Sequence, residues 1–464
     1  MTEQRADAYK GYREPLVSLM ARFGITVWCK VDVDTTRGEF SGLVLPRSET
    51  ADAHHLVLKL DSGYNVGLRH DTIRAMTKTG FREAIYKVPE EAFPRDDRLP
   101  EVILLGTGGT IASRLDYRTG AVIPAFSPGE LYGSVPELAD LCNLQTEKLF
   151  GEFSENVGPL HYRALAERIG QAIEQGFAGV VIGHGTDTMH HTAAALSFMV
   201  QRPPIPIVMV GSQRSSDRPS SDAARNLIHA TFAAAHGDIA EVMVCMFGPT
   251  SDRYNLLHRG TRVRKMHSSY RSTFRTLGDI PLAMVEDGAI QSLQTCASRR
   301  DDRTVQIRPE FEERVTILYY YPNMNPDILE AVVDRGYRGV VIAGTGLGHV
   351  NRKVYPALER ARSAGVQVYM TLQTLWGFVQ MNVYETGREI LGLGVIPLAN
   401  MLPEVAYIKL GWALGQHPND PAAVAALMQT PLAGEITERE PHDGYLVFQG
   451  RTPEIDEFLG RIWS

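Results

Sequence analysis

One stretch limits what this chain can fold into. Val102-Ile103-Leu104-Leu105 is an unbroken apolar run, and it stops in Gly106-Thr107-Gly108-Gly109-Thr110-Ile111-Ala112-Ser113. An apolar run that ends abruptly in glycines reads as a buried strand turning into a loop. Glycine adopts backbone angles that other residues avoid, and it lets another molecule approach the main chain. Thr110 stands at the mouth of that loop with a free hydroxyl and backbone N–H groups beside it. Three functional readings compete. A dinucleotide fingerprint fits Gly106 and Gly108 but puts Ile111 where the third glycine belongs. A P-loop needs a Gly-Lys-Ser/Thr ending, which is absent. A nucleophile loop makes Thr110 the attacking hydroxyl. A tight turn without chemistry is the bland alternative, and this stretch alone does not choose.

The pattern recurs downstream. Leu165, Ile169, Ala172 and Ile173 fall at helical spacing before the strand Val180-Val181-Ile182. An Ala-rich helix from Thr192 to Val200 precedes Pro203, Pro204 and Pro206 and the strand Ile207 to Val210. Alternating units of this kind imply α/β architecture, a mostly parallel sheet with helices on both faces. Ligands in such sheets bind beyond the C-terminal ends of the strands. The second such end carries Gly183–Met189, GHGTDTM, with two threonines, an aspartate and a histidine. Thr110 and Thr186 lie 76 residues apart, which suits one or two βα units, so both loops can open on one edge. Asp187 could merely cap a helix starting near Met189, but that reading leaves the repeated hydroxyls unexplained. A third cluster, Gly211 to Arg218, follows Ile207–Val210 in the same way, and a turn-forming role accounts for it at least as well as a catalytic one. Arg262-Val263-Arg264-Lys265 is either a solvated basic patch or the source of one lysine base in the site. His184, His190 and His191 cluster without the partner residues of a metal-binding helix.

A chain of 464 residues calls for two to four domains. Before residue 85, short runs alternate. Ile25, Val27, Cys29, Val31 and Val33 alternate with Thr26, Trp28, Lys30 and Asp32, followed by Phe40 to Leu45, Leu56 to Leu60 and Tyr64 to Leu68. This predicts a small SH3-like β-barrel over residues 1–85, serving either as a docking or RNA-contacting module or as a stabilising cap. Residues 86–100 hold three prolines and mixed charge and read as a linker. The expected remainder is an α/β domain over 101–288, a polar linker over 289–312 and a second α/β domain over 313–464, with a helix from Asp327 to Arg335. The net charge of −7 argues against a dominant electrostatic grip on nucleic acid. Cys29, Cys142, Cys245 and Cys296 are widely spaced and form no CxxC, which fits a reducing cytoplasm. The N-terminus has no apolar core of a signal peptide, and no apolar run approaches a membrane span.

GTGGTIAS, GHGTDTM and the later Lys265 together resemble the L-asparaginase/glutaminase amidohydrolase family. The likeness runs from about residue 101 onward. A narrower one adds the N-terminal barrel with LVLKLDSGYNVGL, then SQRSSDRPSSDAARNL, HRGTRVRKMHSS, GTGLGH and MLPEVAYIKL. In these the chain is similar to the D-subunit family of archaeal-type glutamyl-tRNA(Gln) amidotransferases. The resemblance implies that Thr110 is the nucleophilic threonine, that Thr186, Asp187 and Lys265 complete the catalytic set, and that Ser154 and Glu155 contact the α-amino and carboxylate groups of the substrate. It further implies glycine-loop contacts at Gly109 and Gly185 and a closing loop that contains Tyr117. It implies glutamine or asparagine as substrate, no cofactor and no metal in this chain, and a homodimeric core. A separate E subunit is implied to use ATP and Mg, to make most of the contact with Glu-tRNA(Gln), and to complete a heterotetramer. A free-standing L-asparaginase or glutaminase is the alternative. A non-catalytic protein that has kept the fold is the reading from another class, and it has to explain why all four catalytic positions hold competent residues. The chain departs from the family pattern at Asn156, at Leu372 and Thr374, and at Asn400, where aspartate is usual.

Overall fold

The computed structural model describes residues 8–47, 51–60, 65–81, 95–108, 135–214, 220–249, 251–295, 298–441 and 445, and the backbone of 113–116 and 121–124. Among the described residues, α1 (Leu16–Arg22) is the first helix, and it buries Leu16 and Met20. Beneath it lies an antiparallel sheet of five strands: β1 (Cys29–Thr35), β2 (Gly38–Val44), β3 (His55–Leu60), β4 (Asn65–Arg69) and β5 (Ile73–Phe81). Their order is β4-β3-β2-β1-β5. Along β1 buried and outward residues alternate, as a strand with one face on a core requires. Val31, Val33, Leu56 and Leu58 are fully buried there. The strand begins at Cys29 rather than at Ile25. Trp28 has φ of +71°, which interrupts an extended run, although Ile25 and Val27 still point into the same core.

The central unit is an eight-stranded sheet. It contains β6 (Glu101–Gly106), β9 (Asn143–Lys148), β10 (Gly179–Gly183), β12 (Ile207–Val210), β13 (Val242–Phe247), β14 (Tyr254–Arg259), β17 (Ala283–Glu286) and β18 (Ala289–Ser292). A hairpin of β7 (Ser113–Asp116) and β8 (Ala121–Pro124) follows β6, and β11 (Val200–Gln201) lies between β10 and β12. Strands β9, β6, β10, β12 and β13 run parallel, and β14, β17 and β18 continue the sheet antiparallel. The crossovers are α2 (Pro159–Glu174), α3 (Met189–Met199) and α4 (Ala223–His236). A separate ribbon pairs β15 (Val263–Lys265) with β16 (Phe274–Thr276).

The segment expected to be a second linker is partly sheet. β18 extends the large sheet from Ala289, and β19 (Gln306–Ile307) pairs with β11. β18 is the edge strand of the sheet, three of its four residues are exposed, and only Ile290 packs inward.

The C-terminal unit is a parallel sheet of β20 (Val315–Tyr319), β21 (Gly339–Gly344), β22 (Gln367–Leu372) and β23 (Ile396–Pro397), crossed by α5 (Asp327–Asp334), α6 (Tyr355–Ser363) and α7 (Glu385–Gly392). The helices α8 (Pro403–Gln416) and α9 (Pro421–Gln429) follow. Helix α8 is buried along almost its whole length, because it lies between the C-terminal sheet and α3. An apolar helix without a solvent face belongs in such a place. Its Trp412 stacks on Phe198 at 5.8 Å, and one hydrophobic core includes Ile103, Val180, Phe198, Val341, Tyr369 and Trp412. Both α/β halves are therefore packed on a common interior.

Lys409 sits in the same helix with no solvent exposure. Its Nζ donates to the carbonyls of Met428 and Thr430 and to Glu435, which is equally buried. Glu435 also accepts from the backbone N–H groups of Leu432 and Ala433. Lys409→Met leaves that carboxylate buried without its cation. The expected cost is about 3–5 kcal/mol in urea unfolding, and Lys409→Met with Glu435→Leu should recover most of it.

Candidate active site

Strand register assembles the site. Gly183 at the end of β10 lies level with Gly106 of β6 on one side and Val210 of β12 on the other. Gly106 in turn lies level with Lys148 at the end of β9. The loops that follow these four strands therefore open on one edge, as the two threonine motifs require.

Thr107 fastens the first two loops together. It is buried, and its N–H and Oγ1 both donate to the Gly183 carbonyl, at 3.1 and 2.8 Å. Its own carbonyl accepts from Glu152 N. Gly108 then turns with φ of +113°, and a Cβ there would lie 2.3 Å from the Glu152 carbonyl oxygen, so only glycine fits. Gly109, Thr110 and Tyr117 lie outside the described residues. Ser154 is buried at the same edge, and its carbonyl accepts from Thr188 Oγ1, whereas Glu155 beside it is exposed. Gly185 is pressed against Ser154. A Cβ at Gly185 would come within 2.8 Å of the serine Cβ.

Thr186, Asp187 and Lys265 come together. Lys265 Nζ donates to Thr186 Oγ1 at 2.9 Å and to Asp187 Oδ1 at 2.6 Å. The lysine side chain is 9% exposed and that of Asp187 is 69% exposed, so the pair spans from the interior to solvent. Asp187 does not cap a helix. The residue before α3 is Thr188, which makes no side-chain cap, and the aspartate points to the lysine instead. The ribbon β15 delivers that lysine from the far, antiparallel side of the large sheet.

Three imidazoles form the floor. His184 is fully buried. Its Nδ1 donates to the Gly185 carbonyl at 2.7 Å, and its Nε2 accepts from Thr192 Oγ1 at 3.0 Å, which fixes the tautomer. Burial pulls its pKa down to about 4. His191 is also drawn down to about 4 by burial, with Arg264 adding to the effect. His190 is pushed well below the usual range by burial, then by His191, Arg264 and Lys265. The rings of His190 and His191 lie 4.4 Å apart. All three are neutral at pH 7. Among the described residues, no three His, Cys, Asp or Glu side chains converge as a metal site.

The third polar cluster is held in place by a buried buttress. Asp222 accepts from the backbone N–H groups of Gln213 and Arg214, and Asn226 Nδ2 ties Asp222 to the Gly211 carbonyl. Burial raises the Asp222 pKa against those amide donors. Residues 215–218 of that cluster lie outside the described residues.

The basic stretch 262–265 is not a solvated patch. Arg262 is fully buried and bonds to Asn400, Gly434 and Thr437. Arg264 reaches Glu404 at 3.2 Å, where burial raises the carboxyl pKa and Arg264 opposes the rise. Sequence reasoning singled out Lys265 and missed both arginines. Arg262 stands in the turn just before β15 and Arg264 within it, so no strand periodicity links the two.

Comparison with known proteins agrees with this architecture. Residues 101–298 match the family "Asparaginase, N-terminal", residues 314–428 the "Glutaminase/Asparaginase C-terminal domain", and residues 25–77 the "GatD N-terminal domain". The D subunit of the glutamyl-tRNA(Gln) amidotransferase from Thermococcus kodakarensis is 49% identical over 92% of this chain and 98% of its own length. Its counterpart from Pyrococcus furiosus is 47% identical over 89% and 94%. Among solved structures, the thermostable L-asparaginase from T. kodakarensis superposes with a TM-score of 0.64 at 31% identity, over 73% of this chain and 99% of its own. L-asparaginase I from Vibrio cholerae gives a TM-score of 0.64 at 26% identity. The match to these D subunits along nearly the full length, with their own N-terminal module, places this chain in the D-subunit family of glutamyl-tRNA(Gln) amidotransferases, within the asparaginase/glutaminase family.

Proposed function

We propose that the chain hydrolyses the side-chain amide of glutamine and passes the ammonia to an E subunit, which uses ATP and Mg to convert Glu-tRNA(Gln) into Gln-tRNA(Gln). The observation that carries this reading is the hydrogen-bonded set Thr186–Lys265–Asp187 at the mouth of the glycine loops. An amide needs a nucleophile, a proton acceptor and donors for the oxyanion. The hydroxyl of Thr110 or Thr186 adds to the amide carbon. Lys265, oriented by Asp187, takes the hydroxyl proton and returns it to the leaving nitrogen. Backbone N–H groups of the loops at Gly109 and Gly185–Thr186 hold the oxyanion. Such a donor is typically worth about 3–4 kcal/mol in the transition state. Ammonia departs, and water cleaves the acyl-enzyme to give glutamate. Ser154 and Glu155 hold the substrate's α-amino and carboxylate groups, and the loop with Tyr117 closes over them. The working assembly is a heterotetramer of two such chains and two E subunits.

The alternative, a free-standing asparaginase or glutaminase, is supported by one observation: the likeness covers 99% of an asparaginase chain, leaving the N-terminal module as an addition. Ammonia release from glutamine and from asparagine separates the two. Low basal activity that rises sharply with the E subunit and Glu-tRNA(Gln) supports the coupled assembly. High activity unchanged by those additions supports the free hydrolase.

Lys265→Met and Thr186→Val should each lower kcat for ammonia release by about 10²–10⁴-fold. Hydrolysis at the parental rate by Lys265→Met would remove the proposed base. A pH effect on stability follows from the floor of the site. His184 and His191 titrate near 4 in the folded chain and near 6.5 when unfolded. Between those values the unfolded chain binds more protons, so stability is fully present above pH 6.5 and is lost as pH falls toward 4. Each imidazole contributes roughly 1.4 kcal/mol per pH unit in that window. Urea midpoints measured at pH 7 and pH 5 should differ accordingly, and replacing His191 by Gln should flatten the difference.

A further inference from the structure

β15 is three residues long and, among the described residues, pairs only with the equally short β16, outside the eight-stranded sheet. A two-stranded ribbon is marginal by itself in water. Yet it carries Lys265, whose Nζ has to stay within hydrogen-bond reach of both Thr186 and Asp187. Something beyond its own ladder must fix it.

Arg262, immediately before the ribbon, is buried and is held at every guanidinium nitrogen. Nε donates to the Gly434 carbonyl at 3.0 Å and Nη1 to the Asn400 carbonyl at 2.9 Å. Nη2 donates to Asn400 Oδ1 at 3.0 Å and to Thr437 Oγ1 at 3.3 Å. Thr261 Oγ1 adds a bond to the Ala433 carbonyl. All of these acceptors lie in the C-terminal unit, 138 to 175 residues away. Asn400 is itself saturated. Its Oδ1 also accepts from Thr437 N, and its Nδ2 donates to Thr437 Oγ1 at 2.7 Å and to Glu440 Oε1 at 3.3 Å. Glu440 is pinned in turn by the Gly377 N–H, which both its oxygens accept.

We infer that Arg262 is a positioning residue for Lys265, and that its hold depends on residue 400 being an amide matched to the carboxylate of Glu440. This rests on the reading of Lys265 as the base. Arg262 lies three residues from the lysine, and a misplacement of about 1 Å at a reacting group can cost about 10²-fold in rate. Aspartate at position 400 would keep an oxygen for Arg262 but lose the Nδ2 donor and set a second carboxylate against Glu440, which breaks the contact joining Asn400 to Glu440 and shifts the anchor. Restoring one donor by Glu440→Gln reverses the polarity of that contact. The introduced amide then offers its Nε2 to the introduced carboxylate, while its Oε1 still accepts from Gly377 N.

The test uses the full chain, with its E subunit if basal activity is low, and reads kcat and KM for glutamine. Asn400→Asp should lower kcat by about 10–100-fold with KM within about twofold, and Asn400→Asp with Glu440→Gln should regain at least about fivefold. If Asn400→Asp does not fold, judged by circular dichroism and thermal melting, Thr437→Val carries the test with an expected loss of about fivefold in kcat at constant KM. Parental kcat in the folded variant, a loss carried wholly by KM, or no recovery in the double variant overturns the inference. Lys265→Met is measured alongside. If it remains active, the base assignment fails; if it is inactive while Asn400→Asp is fully active, only the positioning role fails.

Discussion

The site depends on parallel strand register. Because Gly106, Gly183 and Val210 lie level in adjacent parallel strands, three loops that are distant in sequence begin at one height on one edge. A parallel sheet puts its evenly spaced ladders and its helix-bearing crossovers to this use, and function collects where strands stop. The Thr107 hydroxyl, bonded to the Gly183 carbonyl, then converts two neighbouring loops into one surface. Close approach does the rest. The contacts of Gly108 with Glu152 and of Gly185 with Ser154 leave no room for a side chain, so the small residues are demanded by the packing of loop on loop.

Charge is arranged around that surface in layers. Beneath it lie neutral imidazoles, kept uncharged by burial. Across its mouth run Lys265 and Asp187, the latter open to solvent. Behind the lysine, two arginines are satisfied by the opposite half of the molecule. Both arginines have partners, which is the condition under which buried charge is tolerated at all.

The architecture and the threonine motifs were legible because they are local. Apolar runs ending in glycine announce strand ends, and GHGTDTM sits directly after one of them. Lys265 was singled out by resemblance to a family, and its Nζ bonds to Thr186 and Asp187. What was not legible is long-range. Arg262 finds Asn400, and Arg264 finds Glu404, across 138 and 140 residues, and no periodicity encodes such a pairing. The late start of β1 was hidden because Trp28 breaks the extended backbone without breaking the apolar alternation. The strand at Ala289 was hidden because a four-residue edge strand with one inward apolar residue, Ile290, carries no alternation long enough to read.

The connection between the two α/β halves is bound on both sides. Arg308 N donates to the Met199 carbonyl, Trp412 Nε1 donates to the Arg308 carbonyl at 3.0 Å, and Glu312 N donates to the Gly411 carbonyl. Gly411 itself has no room for a Cβ against the Phe311 ring. A tether sewn in this way is a poor hinge, because rotating one half against the other would tear a shared interior rather than bend a free segment. Admission of substrate and release of product in this chain therefore fall to displacements on the scale of a loop, with the two lobes travelling as one.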